Sequence, residues 1–331
     1  MSAKIYEAEE HCKAAEKYLK TTFLRWKPDL DSAADEYCQA AQCYRIAREL
    51  SGAKDCNLKA ADLYRKNHSF FHAGKALESA IVVCKEQNDP LEMYDLALQA
   101  STLYQQHGSG DAAANVLAKT AKIIEEKAPD RAVKLYQQAA DVSATESGQH
   151  MGAEYIAKAT KLLIRHEWYD LAVDSIRQEI GYHGEANNRG AMGRLCVAMV
   201  LVQLARGDSV AAEKAYKEWG GYCEQPEMAT IEQLITAFDE EDRDSAKAAL
   251  NAPFIKHMDI EFSRLALKIQ LPAPMEVPQR PSNSEGPLSE ADDNTRQQIY
   301  DDFLKDGNES HVKPVEYYAG RMPQEDDDDL C

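Results

Sequence analysis

A chain of 331 residues exceeds one ordinary domain unless it is an elongated array of repeats. Its 38 basic and 56 acidic residues leave a net charge of −18, which argues against nucleic acid as a partner, because phosphate binding needs a basic surface. The 44% hydrophobic content is enough for a sizeable core, while a mean hydropathy of −0.55 and a longest apolar run of Leu195 to Leu204, with Gln203 inside it, fall far short of a membrane span.

The N-terminus, M-S-A-K-I-Y-E-A-E-E, is acidic and has no apolar h-region, so no secretory signal is expected and the chain reads as soluble and cytosolic. A first helix is expected to lead into T-T-F-L-R-W-K, where Phe23, Leu24 and Trp26 are interleaved with Lys20, Arg25 and Lys27. A period of about twenty residues then sets in. Ala33, Ala40 and Tyr44 are followed by Ala53, Ala60 and Tyr64, by Ala73, Ala80 and Cys84, by Met93, Ala100 and Tyr104, and by Ala113, Thr120 and Ile124. The register then drifts through Ala132, Ala139 and Val142 to Gly152, Ala159 and Leu163. Offsets of seven and eleven residues fall within about 40° of each other on a helix, so each triplet is one stripe. The adjacent position adds bulk through Cys43, Leu63, Val83, Leu103, Ile123 and Leu162.

Each unit is one helix and a short turn, and two units make a hairpin of about 40 residues, close to the logic of a tetratricopeptide repeat. Pro28, Pro90 and Pro129 precede helices, and Gly52, Gly108 and Gly110 are expected between them. The fold class expected is all-α: a TPR-like right-handed α-solenoid of antiparallel helix hairpins, with a C-terminal helical bundle as its cap. A compact helical bundle is the alternative, and persistence of the period beyond three units favours the solenoid. On this array Lys119 and Lys122 recur 39 residues later as Lys158 and Lys161. Lys158, Lys161 and Arg165 lie within about 60° on one helix. Such a basic strip suits an acidic helical partner; as an ordinary solvated face it would instead pair with Glu125, Glu126 and Glu154.

Beyond about residue 180 the register weakens. Arg194 to Arg206 encloses an apolar helix, expected to be the most buried one, and Ser209 to Trp219, Glu227 to Phe238, Arg243 to Leu250 and Met258 to Ile269 read as further helices. Composition shifts at Pro272: the last 60 residues hold seven of the twelve prolines and fifteen acidic against five basic residues. The domains expected are a repeat solenoid over residues 1–180, a helical bundle over 181–271 and an acidic, Pro-rich, flexible tail over 272–331, with room for a short helix from Ser289 to Leu304.

Eight cysteines, at 12, 38, 43, 56, 84, 196, 223 and 331, form no C-x-x-C, and their spacings suit neither a zinc site nor a disulfide framework. They read as small hydrophobes on helical stripes. His68 and His72 are four apart and could share a helix face, with no third ligand nearby. No phosphate-binding, dinucleotide, metalloprotease or hydrolase motif occurs, and no acid, base and nucleophile converge. Neither catalysis nor a cofactor nor a metal is expected.

Three segments carry a resemblance: AEKYLKTTFLRWKPDLDSAADEYCQAA from Ala15 to Ala41, DRAVKLYQQAADV from Asp130 to Val142, and the ending DDDDLC. They resemble the gamma branch of the SNAP family, the soluble attachment proteins of the N-ethylmaleimide-sensitive fusion (NSF) ATPase. The resemblance covers residues 1–271 and the extreme terminus, and the Pro-rich stretch from Pro272 to Pro323 departs from it. It implies an adaptor, monomeric when free, that binds the four-helix bundle of an assembled SNARE complex. The adaptor would recruit the hexameric NSF ATPase and stimulate disassembly of the bundle in vesicle fusion and ER–Golgi transport. A different helical-repeat scaffold, such as a co-chaperone clamping a peptide, would share the periodicity.

The resemblance further implies three sites. Phe23 and Leu24, with Trp26 beside them, match an apolar loop that touches the cytosolic face of endomembranes; packing against the second helix is the other reading of Phe23 and Trp26. The partner-facing layer falls on the helices of Lys119, Lys122, Lys158, Lys161 and Arg165, although the family's own basic positions correspond to Asn115 and Glu154 here. Leu330 matches a penultimate leucine that stimulates the ATPase. Asp326, Asp327, Asp328 and Asp329 would steer it to a basic surface.

Overall fold

The computed structural model describes residues 2–21, 26–146 and 149–272, all within one compact unit. Among the described residues there are fifteen α-helices: α1 (Ser2–Leu19), α2 (Leu30–Ile46), α3 (Leu50–Lys66), α4 (Phe70–Gln87), α5 (Pro90–Gln106), α6 (Gly110–Ile124), α7 (Pro129–Glu146), α8 (Gln149–Arg165), α9 (Tyr169–Glu185), α10 (Arg189–Ala205), α11 (Ser209–Trp219), α12 (Gln225–Asp239), α13 (Arg243–Leu250), α14 (Pro253–Lys256) and α15 (Ile260–Lys268). No helix among them is long and apolar enough to cross a membrane.

The twenty-residue spacing is set by the turns as much as by the stripes. Residues Arg48, His68, Asn88 and Gly108, then Glu167, Asn187 and Gly207, all take positive φ. Each closes its helix in the same way. Glu49 N–H donates to the Tyr44 carbonyl at 2.9 Å and Arg48 N–H to that of Arg45 at 3.0 Å. The pair Ser69 to Tyr64 and His68 to Arg65 repeats this at 2.8 and 3.0 Å. This is the Schellman closure, which satisfies carbonyls that the helix end would otherwise leave bare. The residue after the left-handed one already caps the next helix, as the Asp89 carboxylate does by accepting from Glu92 N–H at 3.1 Å. Helix, one left-handed residue, one cap, helix: the connection has no slack, so successive helices fold back antiparallel.

Between helices the stripe is small. Ala33, Ala40, Ala53, Ala60, Ala73, Ala80, Ala100, Ala113, Ala132, Ala139 and Ala159 are all fully buried, which brings neighbouring backbones close. Each helix from α1 to α9 packs chiefly on the next, and helices two apart also touch, α4 on α6 and α5 on α7. Even- and odd-numbered helices therefore form two layers, the arrangement of an α-solenoid of helical hairpins. The stripes differ from the sequence reading at a few positions. Tyr44 and Val142 are only half-buried, with Ser143 in the core beside Val142; Ile123 is exposed; and Gly52 lies inside α3, against the Tyr44 ring, and Gly110 at the start of α6, rather than between helices. His68 and His72 share no helix face, because His68 is the left-handed residue that ends α3.

From α10 onward the pattern changes. Thirteen of the seventeen residues of α10 are buried, because α9, α11, α12, α15 and the 3-10 turn Gly220–Tyr222 all lie against it. Gly193 admits that turn: a Cβ there would stand 2.7 Å from the Tyr222 carbonyl oxygen. The last helix, α15, packs on α10 and returns to α8.

Candidate interaction surface

The segment between α1 and α2 is closed at its base, where Asp29 N–H donates to the Tyr18 carbonyl at 3.1 Å and the Asp29 carboxylate caps α2 by accepting from Ser32 N–H. Trp26 on this segment is 88% exposed, so it is not packed on α2; Lys20 and Lys27 are exposed as well. Phe23 and Leu24 lie outside the described residues. So do Asp326, Asp327, Asp328, Asp329 and Leu330, together with the Ser289 to Leu304 segment.

The basic strip is divided by its surroundings. Lys119 and Lys122 on α6 are exposed, and Lys158 on α8 is exposed with its ammonium 4.8 Å from the Tyr155 ring centre. Lys161 and Arg165, one and two turns further along α8, are engaged within the fold. Lys161 Nζ lies 2.6 Å from Asp259, and Arg165 donates through Nε and Nη2 to the Glu261 carboxylate at 3.2 and 3.0 Å. Burial raises the Asp259 carboxyl, but the hydrogen bonds from Lys161 and from Glu261 N–H more than offset it, and the net displacement is downward. Asp259 and Glu261 stand at the N-terminus of α15, where the helix dipole favours negative charge, and the same two residues reach α8. Lys268 adds a pair to Glu167 at 2.6 Å at the other end of α15. The expected pairing with Glu125 is present but long, 3.9 Å from Arg165.

One surface feature has no signal in the sequence. A groove of about 580 Å³ runs between α2 and α4, lined by Gln42, Arg45 and Ile46 on one side and Ser79, Val82 and Glu86 on the other. Ile46 and Val82 are 66% and 40% exposed, and Arg45 Nε donates to Glu86 at 2.6 Å across the groove. Ser79 and Val82 precede Lys119 and Lys122 by one 40-residue hairpin. Groove and lysines thus occupy the same helical positions on successive even-numbered helices, with exposed Ile46 and Val82 beside the Arg45–Glu86 pair at the α2–α4 end and basic side chains at the α6–α8 end. No single helix reveals this, because it appears only when alternate helices are brought into one layer.

These features belong to a helical scaffold that presents extended faces. Among known proteins, the family model "Soluble NSF attachment protein, SNAP" matches residues 6–252. The gamma-soluble NSF attachment protein of Dictyostelium discoideum is 28% identical over 273 residues, covering 82% of this chain and 84% of that protein. The Arabidopsis thaliana gamma-soluble NSF attachment protein is 26% identical, covering 77% and 89%, and the Mus musculus alpha-soluble NSF attachment protein 22%, covering 81% and 92%. With the family model spanning well over half of its length, this all-helical hairpin chain belongs to the soluble NSF attachment protein family.

Proposed function

We propose that this protein is an attachment adaptor, without catalysis of its own, that couples the NSF ATPase to assembled SNARE complexes during vesicle transport. The observation that carries the reading is the family match over residues 6–252, a span that takes in nearly all of the repeat array. A two-layer array of helices supplies a long face for an elongated helical bundle, which a compact domain of equal mass would not. The chain works as a repeat array over 1–180, a helical bundle over 181–271 and an acidic tail over 272–331.

Three contacts divide the work. The SNARE bundle lies on the even-helix face, with Lys119, Lys122 and Lys158 supplying steering charge; Lys161 and Arg165 act chiefly by holding α15. The loop of Phe23, Leu24 and Trp26 touches the cytosolic face of the membrane reversibly, and the exposure of Trp26 supports this. Each fully buried apolar side chain contributes about 1.5–3 kcal/mol, and each nearby Lys or Arg about 1 kcal/mol at an anionic surface. Leu330, delivered by Asp326 to Asp329, contacts the ATPase.

The experiment is ATP-dependent disassembly of purified SNARE complex by purified NSF with this protein as the added adaptor. Disassembly that requires the protein supports the reading; an ATPase and substrate indifferent to it would refute it. Leu330→Ala is expected to keep SNARE binding and lose stimulation, and full activity of that variant would remove the tail contact.

A further inference from the structure

We propose that Glu7 and His11 of α1 and Cys43 of α2 form a zinc site that clips the first two helices together, with water as the fourth ligand. Glu7 and His11 are four residues apart, so they stand one above the other on the face of α1 that meets α2. One ligand atom from each of the three residues lies within 4.8 Å of the others, and Cys43 Sγ is 3.4 Å from Glu7 Oε1. A tetrahedral zinc ion with bonds of about 2.0–2.3 Å holds its donors about 3.3–3.8 Å apart, so the set closes on an ion with small side-chain movements.

The surroundings fit a metal. Glu36 Oε2 accepts from His11 Nδ1–H at 2.7 Å. This carboxylate–imidazole contact orients a ligating histidine and leaves Nε2 with its lone pair. Lys4 holds the other Glu7 oxygen, Oε2, at 2.7 Å, which leaves Oε1 facing the thiol. One thiolate, one imidazole and one carboxylate select zinc over magnesium or calcium, which take oxygen ligands. The Cys43 thiolate and the Glu7 and Glu36 carboxylates together balance the ion and the Lys4 ammonium.

In the metal-free protein the Cys43 thiol donates to Glu7 Oε1. Binding replaces the Sγ–H···Oε1 hydrogen bond by bonds from sulfur and oxygen to the ion. The thiol proton passes to solvent, and nothing is oxidised or reduced. Affinity therefore rises with pH.

The test uses the full chain without a polyhistidine tag. Cobalt(II), a coloured substitute for zinc, is expected to give a thiolate-to-cobalt charge-transfer band that zinc abolishes at one equivalent. The band should vanish in Cys43→Ser and in His11→Gln, and persist in Cys12→Ser, whose thiol lies 3.7 Å from Cys56 in a separate pair. Glu36→Gln should weaken zinc binding about 10–100-fold with the band retained. Circular dichroism establishes that each variant is folded, and His11→Gln, at a partly exposed position, serves if Cys43→Ser does not fold. Absence of the band in the wild-type chain, or its survival in Cys43→Ser or in His11→Gln, overturns the proposal.

Discussion

Single side chains set how closely the helices approach. Gly74 on α4 lies under the Tyr104 ring of α5, and a Cβ at that position would stand 2.8 Å from two ring carbons. Tyr104 is itself fully buried and packs edge-on to Phe71. The ring has nowhere to retreat. Gly74→Ala is therefore expected to destabilise by about 1–3 kcal/mol despite alanine's better helix propensity, read as a lower urea midpoint at unchanged slope. Glu179 gives a prediction of different kind. It is buried between α8 and α9 beside Thr160 and Ser175. Burial pushes its carboxyl up from the usual 4.5 to about 7; Lys161 and the Thr160 hydroxyl oppose the rise and Asp259 adds to it. The folded state thus prefers the protonated acid. That stabilisation is complete below about pH 4.5 and is lost as pH rises through about 7. Glu179→Gln should be more stable than wild type at pH 8, by up to about 3 kcal/mol, and lose the advantage near pH 4.5. A difference independent of pH in urea titrations would contradict the assignment.

At the scale of elements, the repeat depends on turns whose residues are poorly suited to them. Arg48, His68 and Glu167 occupy left-handed conformations that cost an ordinary L-residue about 1–2 kcal/mol, whereas Asn88 and Asn187 tolerate them and Gly108 and Gly207 adopt them freely. His68→Gly should accordingly raise stability by about 0.5–1 kcal/mol, because relief of the turn exceeds the added flexibility of the unfolded chain. Asn88→Gly should change little. Equal effects of the two substitutions in denaturant titrations would show that the turn conformation is not what limits stability. The α8–α15 contact also belongs to this scale. Its pairs to Asp259 and Glu261 use the rear of the basic strip to fasten α15, while Lys119, Lys122 and Lys158 stay exposed.

For the whole molecule, the two-layer array places the α2–α4 groove and the exposed lysines of α6 and α8 at matching positions on one face. A partner on that face would meet Ile46 and Val82 beside the Arg45–Glu86 pair at one end and positive charge at the other. Reversal of Lys119, Lys122 and Lys158 to glutamate should weaken pull-down of SNARE complex and flatten its dependence on salt, because these side chains are exposed and make no ion pair among the described residues that would mask their loss. Adding Lys161→Glu should cost stability as well, since Asp259 would then face a like charge. Binding unchanged at low salt would move the partner to another face.

The sequence by itself determined the helices, the buried stripe and the family. Alanine at seven-residue offsets every twenty residues has one physical reading, a helix face that must approach its neighbour closely, and Ala53, Ala60, Ala73 and Ala80 are indeed fully buried. Helix ends were legible where side chains announce them, as at Pro90, Pro129 and Ser209, and illegible where backbone conformation decides, as at Arg48 and His68, whose side chains give no sign of a left-handed turn. Of the surface, the sequence located the lysines but not their fate. Lys158 and Lys161 are three residues apart on one helix; among the described residues only Lys161 forms an ion pair, because the return of α15 to α8 brings Asp259 within 2.6 Å of it. The groove between α2 and α4, and the meeting of Glu7, His11 and Cys43, have the same origin. Periodicity records which face of each helix is buried, but which exposed or polar groups become neighbours depends on how far the packed helices are offset, and packing alone sets that offset.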